Sequence, residues 1–413
     1  MDSKEEPTEL PIMENPDHPD LEEVDGVVPV PPTFPDDSAS ATEELLVANQ
    51  EEERISIASN WTLVWWRFRK NKLAVLSGLI LIFLVIIVLV PEFFATMDPE
   101  DTDARLAFIP IQSVHWIDEG RLKPWVPGVV GKRDPVTLKM IWTVDENEKV
   151  YIKLFAEGYS YKILSLIDSN IHLIGAADPE QAGKVFLLGT DRLGRDQWSR
   201  LAYATRISMT IGMISVGVSI ILGLILGGIS GYFGGWPDML IQRLIELLQS
   251  LPTIPIWLAL TAALPRTWSP EKVFFAITII LALRGWTTLA REVRGRFLSL
   301  REEDFVLAAE LAGCSQARII MVHMIPTFTS HIIATSTLAI PVMIVTETSL
   351  SFLGLGLRPP AISWGVMLQE AQNIQTLALA PWLLLPGVVV IVAVLVFNLV
   401  GDGLRDAADP YSN

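Results

Sequence analysis

The chain has 413 residues, half of them hydrophobic and only 19% charged, where an ordinary soluble domain carries roughly 25% charge. Seventeen acids and two bases fall in residues 1–60, so the net charge of −16 belongs almost wholly to that segment. The near-neutral apolar remainder excludes a broad basic surface for nucleic acid, and a single cysteine, Cys314, excludes an intrachain disulfide or a zinc cluster.

Residues 1–60 read as an acidic, disordered cytoplasmic tail. Pro7, Pro11, Pro16, Pro19, Pro29, Pro31, Pro32 and Pro35 break helices, and runs such as Glu51–Glu53 repel one another while offering little apolar surface to bury. A partner-binding segment is the second reading. The first long apolar run starts near Leu73, too late for a cleavable signal peptide. Between them, Trp61, Trp65 and Phe68 recur at helical spacing with Arg67 and Lys70 interleaved, which predicts a helix lying in a membrane interface.

Leu73–Val90 is an uncharged run ended by Pro91, nearly long enough to cross a bilayer core of roughly 30 Å. Five further spans are expected at Ser208–Gly231, Leu244–Leu264, Val273–Ala290, Ile332–Leu350 and Trp382–Val400. Six spans put both termini on one side. Arg67, Arg69, Lys70 and Lys72 precede the first span, and Arg291, Arg294, Arg296, Arg301 and Arg318 fill the loop between the fourth and fifth. The opposite short loops hold only Arg266, Lys272 and Arg358, so the basic side is predicted to be cytoplasmic.

The predicted fold is therefore an all-α polytopic membrane protein with six transmembrane helices. A small β-containing extracytoplasmic domain is inserted between helices 1 and 2. Its expected parts are the tail 1–60, an interfacial helix and first span at 61–91, and the insertion at 92–207. A five-helix core at 208–405 follows, with a cytoplasmic loop at 291–326 and a cytoplasmic C-terminus at 406–413. Within the insertion, Leu138–Val144 and Val150–Phe155 flank the polar Asp145–Glu148 and read as a hairpin.

The loop holds the most informative stretch. Asp304 to Ala312 predicts a short helix with small residues on one face, Gly313 a stop, and Gln316 onward a second helix running to Pro326. Glycine fits a helix C-cap, where positive φ is common. Such a hairpin could enter a groove on a soluble partner; a mere connector between two spans is the plain alternative.

This stretch resembles the "EAA" loop of ABC-importer permeases: Ala-Ala, three residues, Gly, nine residues, then a short motif ending in Pro. Ala308, Ala309, Gly313 and Pro326 fall at those positions, with Ile325 in the usual Leu place. Leu307 replaces the Glu that names the motif and His323 the usual Ile, as in the peptide/nickel-type subfamily. Three more stretches resemble the same subfamily: Arg67–Ala74 at the first span, Leu188–Asp196 with Ser199-Arg200 and Arg206–Ser208 before the second, and Glu347–Gly356 ending the fifth. They bracket residues 61–405, and the likeness is greatest to the C-type permeases of oligopeptide and dipeptide importers.

The resemblance implies a permease subunit of the bacterial-type cytoplasmic (inner) membrane. It also implies a sister permease, two cytoplasmic ATPase subunits that bind ATP and Mg, and an extracytoplasmic solute-binding protein. Asp304, Ala308, Ala309, Glu310, Gly313, His323, Ile325 and Pro326 would then form the loop that couples to the ATPase. Peptides are the implied cargo; nickel and oligosaccharides are handled by similar permeases.

Glu246, Gln249, Arg284 and Glu347 fall at membrane depth, where polar groups face a bundle interior or water. They are candidates for a substrate path, the alternatives being misplaced span boundaries or helix-to-helix pairing; Glu347 is the more structural of the four. Gly223, Gly227 and Gly231 share one helical face and allow close packing, against another span of this chain or another subunit. No catalytic constellation, phosphate-binding loop or histidine metal spacing is present, so no chemistry and no cofactor are expected on this chain. A stand-alone secondary transporter is the rival, but no internal repeat or coupling-ion site supports it.

Overall fold

The computed structural model describes residues 60–133, 135, 140–164 and 166–408. The expected tail disorder therefore falls outside the described residues. Helix α1 (Asn60–Lys70) ends where Asn71 turns into extended backbone, and the Asn71 side chain caps α2 (Lys72–Leu89) by accepting from the Ala74 amide at 3.1 Å. Along α2, Leu76, Leu79, Ile82, Phe83 and Ile86 are exposed, a surface fit for lipid. The aromatic face expected on α1 divides: Trp65 is exposed, whereas Phe68 is buried with Ala74, Val400 and Ala407. Pro91 then starts a single turn, α3 (Pro91–Phe94).

Four strands follow, β1 (His115–Asp118), β2 (Arg121–Arg133), β3 (Met140–Ile163) and β4 (Ile167–Ala176), in an antiparallel sheet of sequential order. The expected hairpin is corrected here. Asp145–Glu148 is no reversal, because β3 runs straight through it and pairs first with β2 and then with β4. The polar residues form a bulge, Pro127 pairing with Lys149 and the next residue, Gly128, with Asp145. Asp145 Oδ1 accepts from the Asn147 amide at 3.0 Å, a local turn that reads as a hairpin loop in one dimension. Leu138 and Lys139 lie outside the described residues.

Helix α4 (Gln197–Phe233) begins eleven residues before the expected span. Arg200 and Arg206 hid this start from hydropathy, and both are neutralised by partners described below. The expected span Leu244–Leu264 is also corrected: α5 (Gly235–Ser250) and α6 (Thr253–Ala262) meet at 87°. Pro252 at the break has no amide to donate and disfavours helical backbone at Leu251. Helices α7 (Pro270–Leu300), α10 (Thr329–Phe352) and α13 (Leu385–Ala408) are long and continuous, the last preceded by the short α12 (Ile374–Leu379). Among the described residues five helical segments are long and apolar enough to cross a membrane, or six if the bent pair counts as one.

The core is built on α4. Met209 meets Leu84, Ile344 and Phe397 from α2, α10 and α13, together with Trp364 of α11 (Trp364–Glu370). On another side, α4 and α7 approach backbone to backbone. A Cβ added at Gly227 would lie 2.5 Å from the Ala290 carbonyl oxygen, and one at Gly231 would lie 2.8 Å from that of Arg294. The glycine face therefore packs within this chain.

Candidate functional site

The hairpin after α7 consists of α8 (Asp304–Leu311), a turn at Ala312–Ser315, and α9 (Gln316–Arg318). A wide π turn over Ile319–Met324 and a 3-10 turn over Ile325–Phe328 then lead into α10. The widened return coincides with Pro326, which cannot donate a helical hydrogen bond. Gly313 has φ +76°, its amide donates to the Glu310 carbonyl at 2.9 Å, and the Cys314 amide donates to that of Ala309 at 3.1 Å. Those two bonds and the left-handed residue are a Schellman end, which glycine adopts at least cost.

One face of the hairpin is anchored. Val306, Ala309, Ile319, Met324 and Phe328 bury themselves against Val293 and Phe297 of α7. The Tyr232 hydroxyl donates to Glu310 Oε1 at 2.9 Å, tying α8 to the end of α4. The other face is open: Asp304, Phe305, Leu307, Ala308 and Ala312 are exposed, and Leu311 is 91% exposed. His323 and Ile325 are half-buried in the return, and Pro326 is exposed. The eight loop residues thus share one hairpin, with Ala309 on its inner face.

The four polar candidates at membrane depth separate. Glu246 is exposed and receives a hydrogen bond from Arg243 Nη1 at 2.7 Å. Arg284 caps the broken end of α5, donating to the Leu248 carbonyl and, at 3.2 Å, to that of Leu251. Gln249 beside it donates to Thr287 Oγ1 at 3.2 Å. Glu347 is fully buried elsewhere: Ser208 Oγ donates to its Oε2 at 3.0 Å and Ser351 Oγ to its Oε1 at 2.8 Å. The Trp364 amide donates to Ser208 Oγ at 3.1 Å, so Glu347 joins α4, α10 and α11. The bonds of Arg284, Gln249 and Glu347 hold helices together in this conformation, whereas that of Glu246 lies within α5.

The stretch Leu188–Arg206 proves to be an ionic girdle around the start of α4. Arg195 Nη2 donates to both Glu370 oxygens at 2.9 and 3.0 Å, Arg200 Nη1 donates to Glu370 Oε2 at 2.8 Å, and both arginines pair with Asp191. Arg206 grips Glu92 through two nitrogens at 2.5 and 2.8 Å and caps α2 at the Val88 and Leu89 carbonyls. Asp196 caps α4 by accepting from the Ser199 amide at 2.8 Å. Burial pushes the Asp196 carboxyl above its usual range, and hydrogen bonds from Ser199 and Thr96 pull against that. Glu370 was missed in the sequence; its one signal is three arginines, 192, 195 and 200, near two acids, Asp191 and Asp196, the second of which is taken up in capping α4. Among the described residues no group of three His, Cys, Asp or Glu side chains stands together as a metal site.

Long apolar helices packed along a glycine seam define a multi-pass membrane protein. Residues 219–411 match the family described as binding-protein-dependent transport system inner membrane component, and residues 59–110 match the N-terminal TM domain of oligopeptide transport permease C. The oligopeptide transport system permease protein OppC of Bacillus subtilis is 37% identical over 243 residues, 59% of this chain and 76% of that protein. The dipeptide transport system permease protein DppC of Alkalihalophilus pseudofirmus is 40% identical over 223 residues, 54% of this chain and 71% of its own length. A chain of the methionine ABC transporter MetNI, solved in inward-facing conformations, is 13% identical with a TM-score of 0.39, over 50% of this chain and 95% of its own. The protein belongs to the inner-membrane permease family of binding-protein-dependent transport systems, and its relatives include the OppC and DppC permeases.

Proposed function

We propose that this chain is one of two permease subunits in an ATP-driven importer of oligopeptides or dipeptides, and that the α8 hairpin seats on a cytoplasmic ATPase subunit. Both termini then lie in the cytoplasm, the sheet of β1–β4 lies outside it, and an external solute-binding protein delivers the peptide. ATP and Mg bind to the ATPase subunits.

The observation that carries the reading is the two-sidedness of the hairpin. Its inner face is fixed to α7, while Leu307 and Leu311 project from an end whose flanks carry Arg296, Arg301 and Arg318. Apolar side chains so exposed on a charged end call for a covering partner. Peptide cargo is supported by the names of the relatives.

Gly313→Asp tests the coupling role. A non-glycine residue at φ +76° costs about 1 kcal/mol or more, and the carboxylate adds bulk and charge beside the apolar Leu311. The variant is expected at normal membrane level, with uptake abolished and ATPase co-purification weakened. Arg358→Ala, remote in sequence, leaves that association intact. Wild-type uptake by Gly313→Asp would reduce the hairpin to a connector.

A further inference from the structure

We propose that a recess between α4, α7 and α10 is a cation-binding site at the exit end of the transport path, with Glu292 holding the ammonium group of a passing peptide. The inference rests on the peptide-import reading above. The recess measures about 100 Å³ and is lined by Ser219 and Ile220 of α4, Thr288 and Glu292 of α7, and Thr335 and Ser336 of α10, among others. Gly285 makes it possible by letting α4 come close, since a Cβ there would lie 2.4 Å from Ser219 Oγ.

The chemistry of the lining is one-sided. The Ser219 hydroxyl already donates to the Ser215 carbonyl at 2.8 Å, and that of Thr335 to the His331 carbonyl at 3.0 Å. Both therefore offer lone pairs to the recess and no proton. The Glu292 side chain is 37% exposed, but its Oε2 atom is buried, and neither that oxygen nor Ser336 Oγ has a hydrogen-bond partner among the described residues. The His331 Nε2 atom lies 3.5 Å from that carboxylate oxygen, an ion pair when the imidazole is protonated, though outside hydrogen-bond geometry. Buried polar atoms are almost always satisfied, so these two call for partners in the recess, water or a ligand group. An anion is repelled by Glu292, and an apolar group satisfies neither orphan. A group with several N–H donors and a positive charge satisfies both. A water needs only about 10–15 Å³ on the same measure, so the space admits an ammonium head. Glu292 stands eight residues before the end of α7, about 12 Å from it, close to the hairpin.

Thiol labelling tests the site without any substrate. In the assembled complex, a Ser336→Cys, Cys314→Ser variant is treated with cationic aminoethyl methanethiosulfonate and with its neutral methyl analogue. The cationic reagent is expected to react faster, and Glu292→Gln to lower the cationic-to-neutral rate ratio about tenfold or more. His331→Asn should leave the ratio high. An unchanged ratio in Glu292→Gln overturns the proposal, as does failure of both reagents to react, or an equal loss in His331→Asn, which would make the pair a helix latch. In uptake, Glu292→Gln should slow a peptide with a free amino terminus several-fold more than its N-acetylated form. Equal slowing of both removes the ammonium assignment. If the wild-type complex takes up neither peptide, the import reading fails while the labelling result still decides the recess.

Discussion

Gly227→Ala on α4 is a substitution whose sign is set by backbone alone. The new Cβ would lie 2.5 Å from the Ala290 carbonyl oxygen and 2.9 Å from the Ala290 Cα. Ordinary contact begins near 3.4 Å, so the α4–α7 seam must open by about 0.9 Å. No rotamer change relieves a clash with main chain, and overpacking of this kind costs about 1–3 kcal/mol. The gain in helix propensity from Gly to Ala offsets about 1 kcal/mol of it. Gly217 on the same helix is the control, because a Cβ there meets nothing within 4 Å and only the propensity gain remains. The two alanine variants should differ by about 1–3 kcal/mol, several-fold to a hundredfold in the folded ratio. Heating the detergent-solubilised protein and measuring the monodisperse fraction by size exclusion reads the difference. If Gly227→Ala survives heating as well as Gly217→Ala, the glycine face does not hold α4 against α7.

Glu370→Gln should leave Arg195 and Arg200 with only Asp191 between them; breaking a buried pair costs about 3–5 kcal/mol, seen as a fall in membrane level and faster proteolysis. The double variant Arg195→Gln, Glu370→Gln should recover much of the loss. Glu347→Ala strands the Ser208 and Ser351 hydroxyls in the core and should destabilise by about 2–4 kcal/mol, lowering subunit level, whereas uptake per surviving subunit is retained. A cysteine at position 145 (Asp145→Cys in a Cys314→Ser background) should react with an impermeant thiol reagent in intact spheroplasts. Labelling only after lysis would reverse the proposed topology and with it the placing of the hairpin.

The helices were legible where one physical rule acted alone. The apolar run of α2 ended at Pro91, and the Ala308–Gly313 spacing marked a helix and its left-handed stop, because both are local. The errors share a cause in partners distant in sequence. The start of α4 was hidden by Arg200 and Arg206, whose charges are cancelled by Glu370 and Glu92, 170 and 114 residues away. The Asp145–Glu148 bulge has hairpin composition, and only β2 lying alongside shows that the strand continues. The capping contact of Arg284 was hidden because its acceptors, the Leu248 and Leu251 carbonyls, are freed only where α5 breaks. The glycine face was visible, but its partner, α7, was not.

On the proposed reading, the hairpin and the seam form one mechanical train. A push on Leu311 cannot be absorbed within α8, because Val306 and Ala309 are packed on Phe297 and Val293 of α7. Helix α7 cannot yield alone either. Gly227 and Gly231 hold it against α4 at main-chain distance, and Arg294 forks onto Asp238 of α5 at 2.6 and 2.7 Å. Motion at the hairpin must therefore reach α4, α5 and α7 together, and the Glu292 recess lies between two of them and α10. A conformational cycle that moves α10 relative to that train would open or close the recess. If the hairpin seats on an ATPase as proposed, a site placed there is coupled to it through the packing of α8 on α7 and α7 on α4, with no separate relay.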